Sequence, residues 1–428
     1  MQPKIIPLKH DMTLVHLSGD HYRTGRLTAV MSVPLAESTA AQYAILPGLL
    51  THSSRRYPTL AAVVERLDEL YGASIHTAVE RVGQWQLLTF STGFLRARYT
   101  FDGEELAQDC AELLLDMLFD PLFEDGAFTK TDFAREQRCL IERLQSEINN
   151  KRLYARQQCE KLLCPDEAYS VNPGGTLETV GALTPSAAAE ARETLLSCAR
   201  IHWIYQGDEL PTALIKSIEA RFASLPSRRA VRMAPDSTYV MKESEKTEEM
   251  SLRQAKLVLG FRVAAAEPNG AVMAARLMNT LWGGCPSSLL FRHVREEQSL
   301  CYYCSSSYDR FQGVILVDSG VEAADAARTR EEVLKQLDAI REGNFSDDEL
   351  EAARRALIQR FTSMNETPAD RELWTVGQTL YDRYFTPEQA ISELLAVTRE
   401  DVCRVAKQVH FDSAYLLRPI TDDTAAKE

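Results

Sequence analysis

The sequence is notable first for what is missing. No apolar run approaches the ~18 residues that a membrane-crossing helix requires, so a transmembrane span is excluded. Histidine is scarce: the eight are His10, His16, His21, His52, His76, His202, His293 and His410. No two lie three or four apart, so no single helix can present two imidazoles to one metal ion. H-E-x-x-H and its inverted form H-x-x-E-H are both absent, as are a phosphate-cradling G-x-x-x-x-G-K and a G-x-S-x-G nucleophile elbow. Positive charge is in deficit, with 48 Lys and Arg against 61 Asp and Glu, for a net charge of −13. That balance argues against nucleic acid and anionic membrane surfaces as partners. The opening Met1 to Asp11 interleaves Lys4, Pro7, Lys9 and His10 and leaves no apolar core for a signal peptide, so a cytoplasmic location is expected.

Cysteine is present but not in the pattern of a disulfide scaffold. Nine are spread over 428 residues: Cys110, Cys139, Cys159, Cys164, Cys198, Cys285, Cys301, Cys304 and Cys403. Cys301 and Cys304 form a lone C-x-x-C within a segment that reads as a strand. No second ligand pair accompanies them at zinc-knuckle spacing, and reduced thiols are expected throughout.

The order of predicted elements runs through the chain twice. Each half opens on a β-rich run, RLTAVMSVP (Arg26–Pro34) and AKLVLGFRV (Ala255–Val263). Helical stretches follow, Leu60–Tyr71 in the first half and Ala271–Leu281 with Ser288–Glu297 in the second. Alternating strands come next, Gln84–Ser91 in one and Tyr302–Ser307 with Val314–Ser319 in the other. Each half then carries an amphipathic helix, 106–118 and Ala327–Ile340, and a long charged helical pair, Asp132–Leu163 and Asp347–Tyr381. Ser346-x-x-Glu349 reads as a capping box. Leu183-Thr184-Pro185 and Val397-Thr398-Arg399-Glu400 each precede a helix leading to a closing strand, Ile201–Tyr205 and Ala414–Arg418. Two homologous α+β domains in tandem follow from this repetition, with boundaries at 1–225 and 251–420. The joint at 226–250 holds Pro226, Pro235 and the charged run Lys242–Glu249 and reads as an exposed linker, with a mobile tail at 421–428.

One constellation carries chemistry. In LWGGCPSSLLFRHVREEQSLCYY (Leu281–Tyr303), Arg295 falls near a helix end and Tyr302 at the start of the next strand. A guanidinium and a phenol on neighbouring rigid elements can both donate to one carbonyl oxygen or oxyanion. The competing reading pairs Arg295 with a glutamate and makes Tyr302 a core aromatic.

The element order and the phrase VREEQSLCYYCSS resemble the insulinase-like (pitrilysin, mitochondrial-processing-peptidase) zinc metallopeptidases over almost the whole chain. Gly283, Gly284, Ser288, Leu290, Phe291, Arg295, Glu296, Leu300 and Tyr302 resemble that family's small-residue C-terminal segment with its L-F, R-E and L-x-Y. Supporting phrases are Leu70-Tyr71-Gly72-Ala73, Gly175-Thr176 with Leu183-Thr184, and Gly207-Asp208. The resemblance implies two domains, each a mostly antiparallel sheet flanked by helices. It also implies a zinc site whose ligand and base positions here hold Ala44, Pro47 and Gly48, with Arg143 where the later glutamate ligand belongs. Glu136 and Glu142 lie nearby, but one carboxylate does not hold zinc.

Such families include two-chain enzymes in which one subunit holds the zinc and the other supplies an Arg/Tyr pair. The resemblance therefore implies a zinc-free companion subunit with Arg295 and Tyr302 acting in trans. Its partner would be a motif-bearing paralogue that holds the zinc, and the substrate a peptide. The alternative is a peptide-binding scaffold with no part in proteolysis.

Overall fold

The structure is a computed structural model that describes residues 2–19, 21–225, 228–232, 243–267 and 271–420. Both the expected tail at 421–428 and much of the expected linker lie outside the described residues. The chain packs as two compact units, neither contiguous in sequence. The first lies within Met1–Gln145, Val171–Pro235 and Met364–Thr386; the second within Ser146–Ser170, Asp236–Ser363 and Pro387–Glu428.

The first unit is built on six strands: β1 (Lys4–Leu8), β2 (Met12–Ser18), β3 (Thr24–Pro34), β4 (Ser74–Val82), β5 (Trp85–Leu95) and β6 (Arg200–Gly207). Their order across the sheet is β1-β2-β6-β3-β5-β4, antiparallel except for the parallel pair β2–β6. The second unit has five: β7 (Ser244–Met250), β8 (Ala255–Val263), β9 (Cys301–Asp309), β10 (Val314–Val321) and β11 (Val409–Pro419). They run β9-β10-β8-β11-β7, antiparallel except for the parallel pair β11–β7. Read from the β4 and β9 edges, the sheets coincide strand for strand in order and sense, and β1 extends the first. The fold is thus two homologous α+β domains with mostly antiparallel sheets flanked by helices.

One expectation is corrected. Ser244–Met250, assigned to an exposed linker, is the edge strand β7. Its sequence SEKTEEM has no apolar alternation because its side chains stay largely at the surface. What holds it is the backbone ladder to β11, together with Tyr154 and Tyr415 donating to Glu248 at 2.9 and 2.8 Å.

Local chemistry sets the element ends. Ser346 and Glu349 form the expected capping box, the Ser346 amide donating to the Glu349 carboxylate at 2.7 Å and the Glu349 amide to Ser346 Oγ at 3.2 Å. The stretch expected over Asp132–Leu163 is two helices, Lys130–Asn149 and Lys151–Leu163. Asn150 separates them, its side chain accepting from the Leu153 amide and restarting the helix as an N-cap. In the same way Thr367 and Pro368 start a new helix, Pro368–Val376, after Asp347–Ser363.

The second helix of each pair packs with the sheet of the other half of the sequence. Lys151–Leu163 sets Ala155, Cys159 and Leu163 against Val258, Leu316, Tyr415 and Leu417 of the five-stranded sheet. Phe261 meets Trp282 edge to face at 5.0 Å in the same unit. In the first unit the helix Leu106–Phe119 buries ten of its 14 residues, most of them in a core holding Trp203, Phe90, Leu27 and Met31.

Candidate functional site

Two places collect the residues singled out in the sequence. The first is in the six-stranded unit. Short helices Glu37–Ala44 and Leu46–His52, the helix Lys130–Asn149 and the edge strand β4 enclose a cavity of about 310 Å³. Ala44, Pro47, Gly48 and Arg143 all line it, together with Glu136, Cys139 and Thr77–Val79 of β4. The glutamate lies against the glycine: a Cβ at Gly48 would stand 2.0 Å from Glu136 Oε2. The Glu136 carboxylate therefore occupies the space that a side chain at position 48 would need.

A charge cluster stabilises that wall. Arg135 donates to Glu136 at 2.9 Å and to Asp132 at 2.7 Å, and Thr129 donates to Asp132 at 2.9 Å. Burial opposes ionisation of Asp132, but the Arg135 and Thr129 hydrogen bonds prevail and hold its carboxyl below the usual range. His52 lies 3.7 Å from Asp132. Burial, then the Arg135 cation, push its pKa down.

These side chains do not fit the zinc ion that the resemblance implies. At Ala44, Pro47, Gly48 and Arg143 the wall offers a methyl, a pyrrolidine ring, a hydrogen and a cation, none of which can donate an electron pair to a metal. Among the described residues no three His, Cys, Asp or Glu side chains come together as a metal-binding group.

The second place is in the five-stranded unit. Phe291–Glu297 is a π-helical turn, and Arg295 on it is exposed, its guanidinium 4.6 Å from the Phe291 ring centroid. Arg295 forms no ion pair among the described residues. Tyr302 lies on the edge strand β9, where the register slips: Cys301 faces Val321, Tyr303 faces Gly320, and Tyr302 is the extra residue of a bulge. The bulge turns its ring outward. Tyr302 is 64% exposed, and among the described residues its hydroxyl reaches Glu322 at 3.3 Å. The reading of Tyr302 as a core aromatic is therefore overturned.

Close packing carries the segment between them. A Cβ at Gly283 would stand 2.7 Å from the Ser306 backbone nitrogen on β9, so this position admits only glycine without movement of the strand. The Gly283-Gly284 pair ends a π-helical turn at Thr280–Gly284. Sequence reasoning missed the bulge and the Glu136–Gly48 contact. The first leaves no local signal, because a bulge is defined by the partner strand.

Comparison with known proteins gives a consistent picture. Residues 182–357 match a family model described as the peptidase M16 inactive domain. The chain is 23% identical over 411 residues to a probable inactive metalloprotease of Bacillus subtilis, YmfF, covering 96% of each. It is 21% identical over 378 residues to an uncharacterized zinc protease of the same organism, YmxG, covering 87% of this chain and 91% of that one. Among solved structures it is similar to a conserved protein from Enterococcus faecalis, with TM-score 0.90, 24% identity, and coverage of 98% and 99%. It is also similar to a peptidase M16 inactive domain from Pseudomonas fluorescens, with TM-score 0.79, 15% identity, and the same coverage.

Proposed function

We propose that this chain is an inactive member of the insulinase-like (M16) peptidases, with the role of zinc-free companion subunit in a two-chain metallopeptidase. The partner is a paralogue bearing H-x-x-E-H, which holds the zinc, and the substrate is a peptide. Arg295 and Tyr302 act in trans, orienting the scissile carbonyl and donating to the oxyanion as it forms. The cytoplasm is the proposed compartment.

One observation carries this reading: Tyr302 is held outward on a strand bulge with most of its surface free, and Arg295 is exposed nearby in sequence with no carboxylate partner among the described residues. Packing in this chain gives neither polar group an interior task. The edge strand β4 beside the degenerate cavity also supports peptide handling, since its outer backbone groups can pair with an extended chain.

The test is affinity purification from the native host followed by a peptide-cleavage assay of the recovered complex. Recovery of a similar-sized H-x-x-E-H protein with zinc is expected. Arg295→Ala is then expected to lower turnover by ~10²–10³-fold, the usual loss for one oxyanion donor, while leaving the complex assembled. Unchanged turnover would remove the catalytic role of the pair. A chain recovered alone, binding peptides without cutting them, would establish the scaffold reading instead.

A further inference from the structure

The C-x-x-C of β9 has no part in the function proposed above. In an unbroken strand, residues three apart point to opposite faces, so Cys301 and Cys304 could not meet. The bulge at Tyr302 changes this. Cys301 faces Val321 and Cys304 faces Ser319, so the two thiols lie on the same face, two ladder positions apart. Both are buried, with Cys301 the more open at 8% exposed and Cys304 at 4%, and both are free thiols. Among the described residues β9 is an edge strand, hydrogen-bonded to β10, so its backbone has room to adjust.

We propose that Cys301 and Cys304 form a redox-active dithiol that closes to an intrastrand disulfide by exchange with a low-molecular-weight disulfide such as oxidised glutathione. Cys301 is the attacking thiol. A hydrogen bond from Cys304 to Cys301, with further help from the Arg295 cation, holds the Cys301 thiol below its ordinary value despite burial. The same hydrogen bond, together with burial, holds the Cys304 thiol well up.

The exchange proceeds in two displacements. Cys301 thiolate attacks one sulfur of oxidised glutathione, forming a protein–glutathione mixed disulfide and releasing one glutathione thiolate. With the negative charge on Cys301 gone, Cys304 gives up its proton to the departing thiolate and attacks Cys301 Sγ, releasing the second glutathione. Two protein thiols are oxidised and one glutathione disulfide is reduced to two thiols. The resulting bond spans the bulge that aims Tyr302, although the dithiol chemistry does not depend on what Tyr302 does.

The sequence offers a direct assay, because the tryptic peptide Glu296–Arg310 contains both cysteines and no others. The reduced full-length chain is incubated with oxidised glutathione, denatured, alkylated with iodoacetamide and digested. The peptide is expected to escape alkylation and to be two hydrogens lighter than its dithiol, with dithiothreitol restoring double alkylation. Cys304→Ser is expected to stop at a single glutathione on Cys301. Double alkylation of the wild-type peptide, in a sample where the exposed Cys139 has taken up glutathione, would overturn the proposal. Wild-type peptide retaining glutathione without closing would overturn it equally.

Discussion

The segment Met364–Thr386 and the helix Lys151–Leu163 each join a sheet encoded far away in the chain, and their ion pairs have opposite sense. In the six-stranded unit the docked segment brings the carboxylate. Glu372 accepts from Arg26 of β3 at 2.6 Å and from Thr28 at 2.6 Å and Ser91 at 3.1 Å. In the five-stranded unit the sheet holds the carboxylate, Asp318 on β10, and the docked helix brings two cations, Arg152 and Arg156. The acid side chains differ in depth, 13% exposed for Glu372 and 2% for Asp318. If its segment lifted away, Glu372 would leave with it and be hydrated. Asp318 is fixed in the sheet at 2% exposed, so losing the two cations while the helix stays docked leaves its charge buried. The same kind of contact is thus costlier to break where the sheet holds the charge.

The largest effect should come from removing both helix cations. Arg152→Gln with Arg156→Gln leaves the buried Asp318 charge without either cation and with Ser305 as a neutral donor, and is expected to destabilise the fold by ~3–5 kcal/mol in denaturant titration. A loss no greater than that of the counterpart change in the other unit would remove the distinction between them. That counterpart, Glu372→Gln, keeps an acceptor for Thr28 and Ser91 but removes a charged partner from Arg26. Its expected cost is ~1–2 kcal/mol, in the range of one charge-assisted hydrogen bond.

The smallest effect is in pH dependence, and it belongs to the first unit. Asp382 accepts from His202 at 2.8 Å and pairs with Arg200 at 3.0 Å. Chiefly through the His202 hydrogen bond, the Asp382 carboxyl sits below its ordinary value of 3.8. Its contribution is therefore present above the unfolded pKa and is lost as pH falls below 3.8 through the lowered value. Stability curves at pH 5 and pH 3 should show Asp382→Asn losing less on acidification than the wild type. Equal losses would mean that this anchor carries none of the acid sensitivity.

Much of the fold was readable in the residues. Arg26–Pro34 and Ala255–Val263 announce their strands by β-branched and apolar runs, and Thr184, Ser346 and Thr398 announce helix starts by side chains that cap at short range. The strand Ser244–Met250 was not readable, because an edge strand with surface side chains carries no periodic apolar signal. Of the candidate site, the residue types at Ala44, Pro47, Gly48 and Arg143 already excluded a metal-ligand set. The structure added that they share one cavity wall and that Glu136 fills the space before Gly48. It also showed that Tyr302 is exposed, since exposure depends on a bulge set by the register with β10.

Residue order alone was enough for the duplication, for most element types and for the caps at Thr184, Ser346 and Thr398, because each depends on side-chain chemistry or on spacing within a few turns. The exchange of helical segments between the two halves, the outward turn of Tyr302 and the placing of Cys301 and Cys304 on one face of β9 required the folded chain. An amphipathic helix records that one face will be buried but not which sheet will bury it. A strand records its own alternation but not where its partner will force an extra residue out of step.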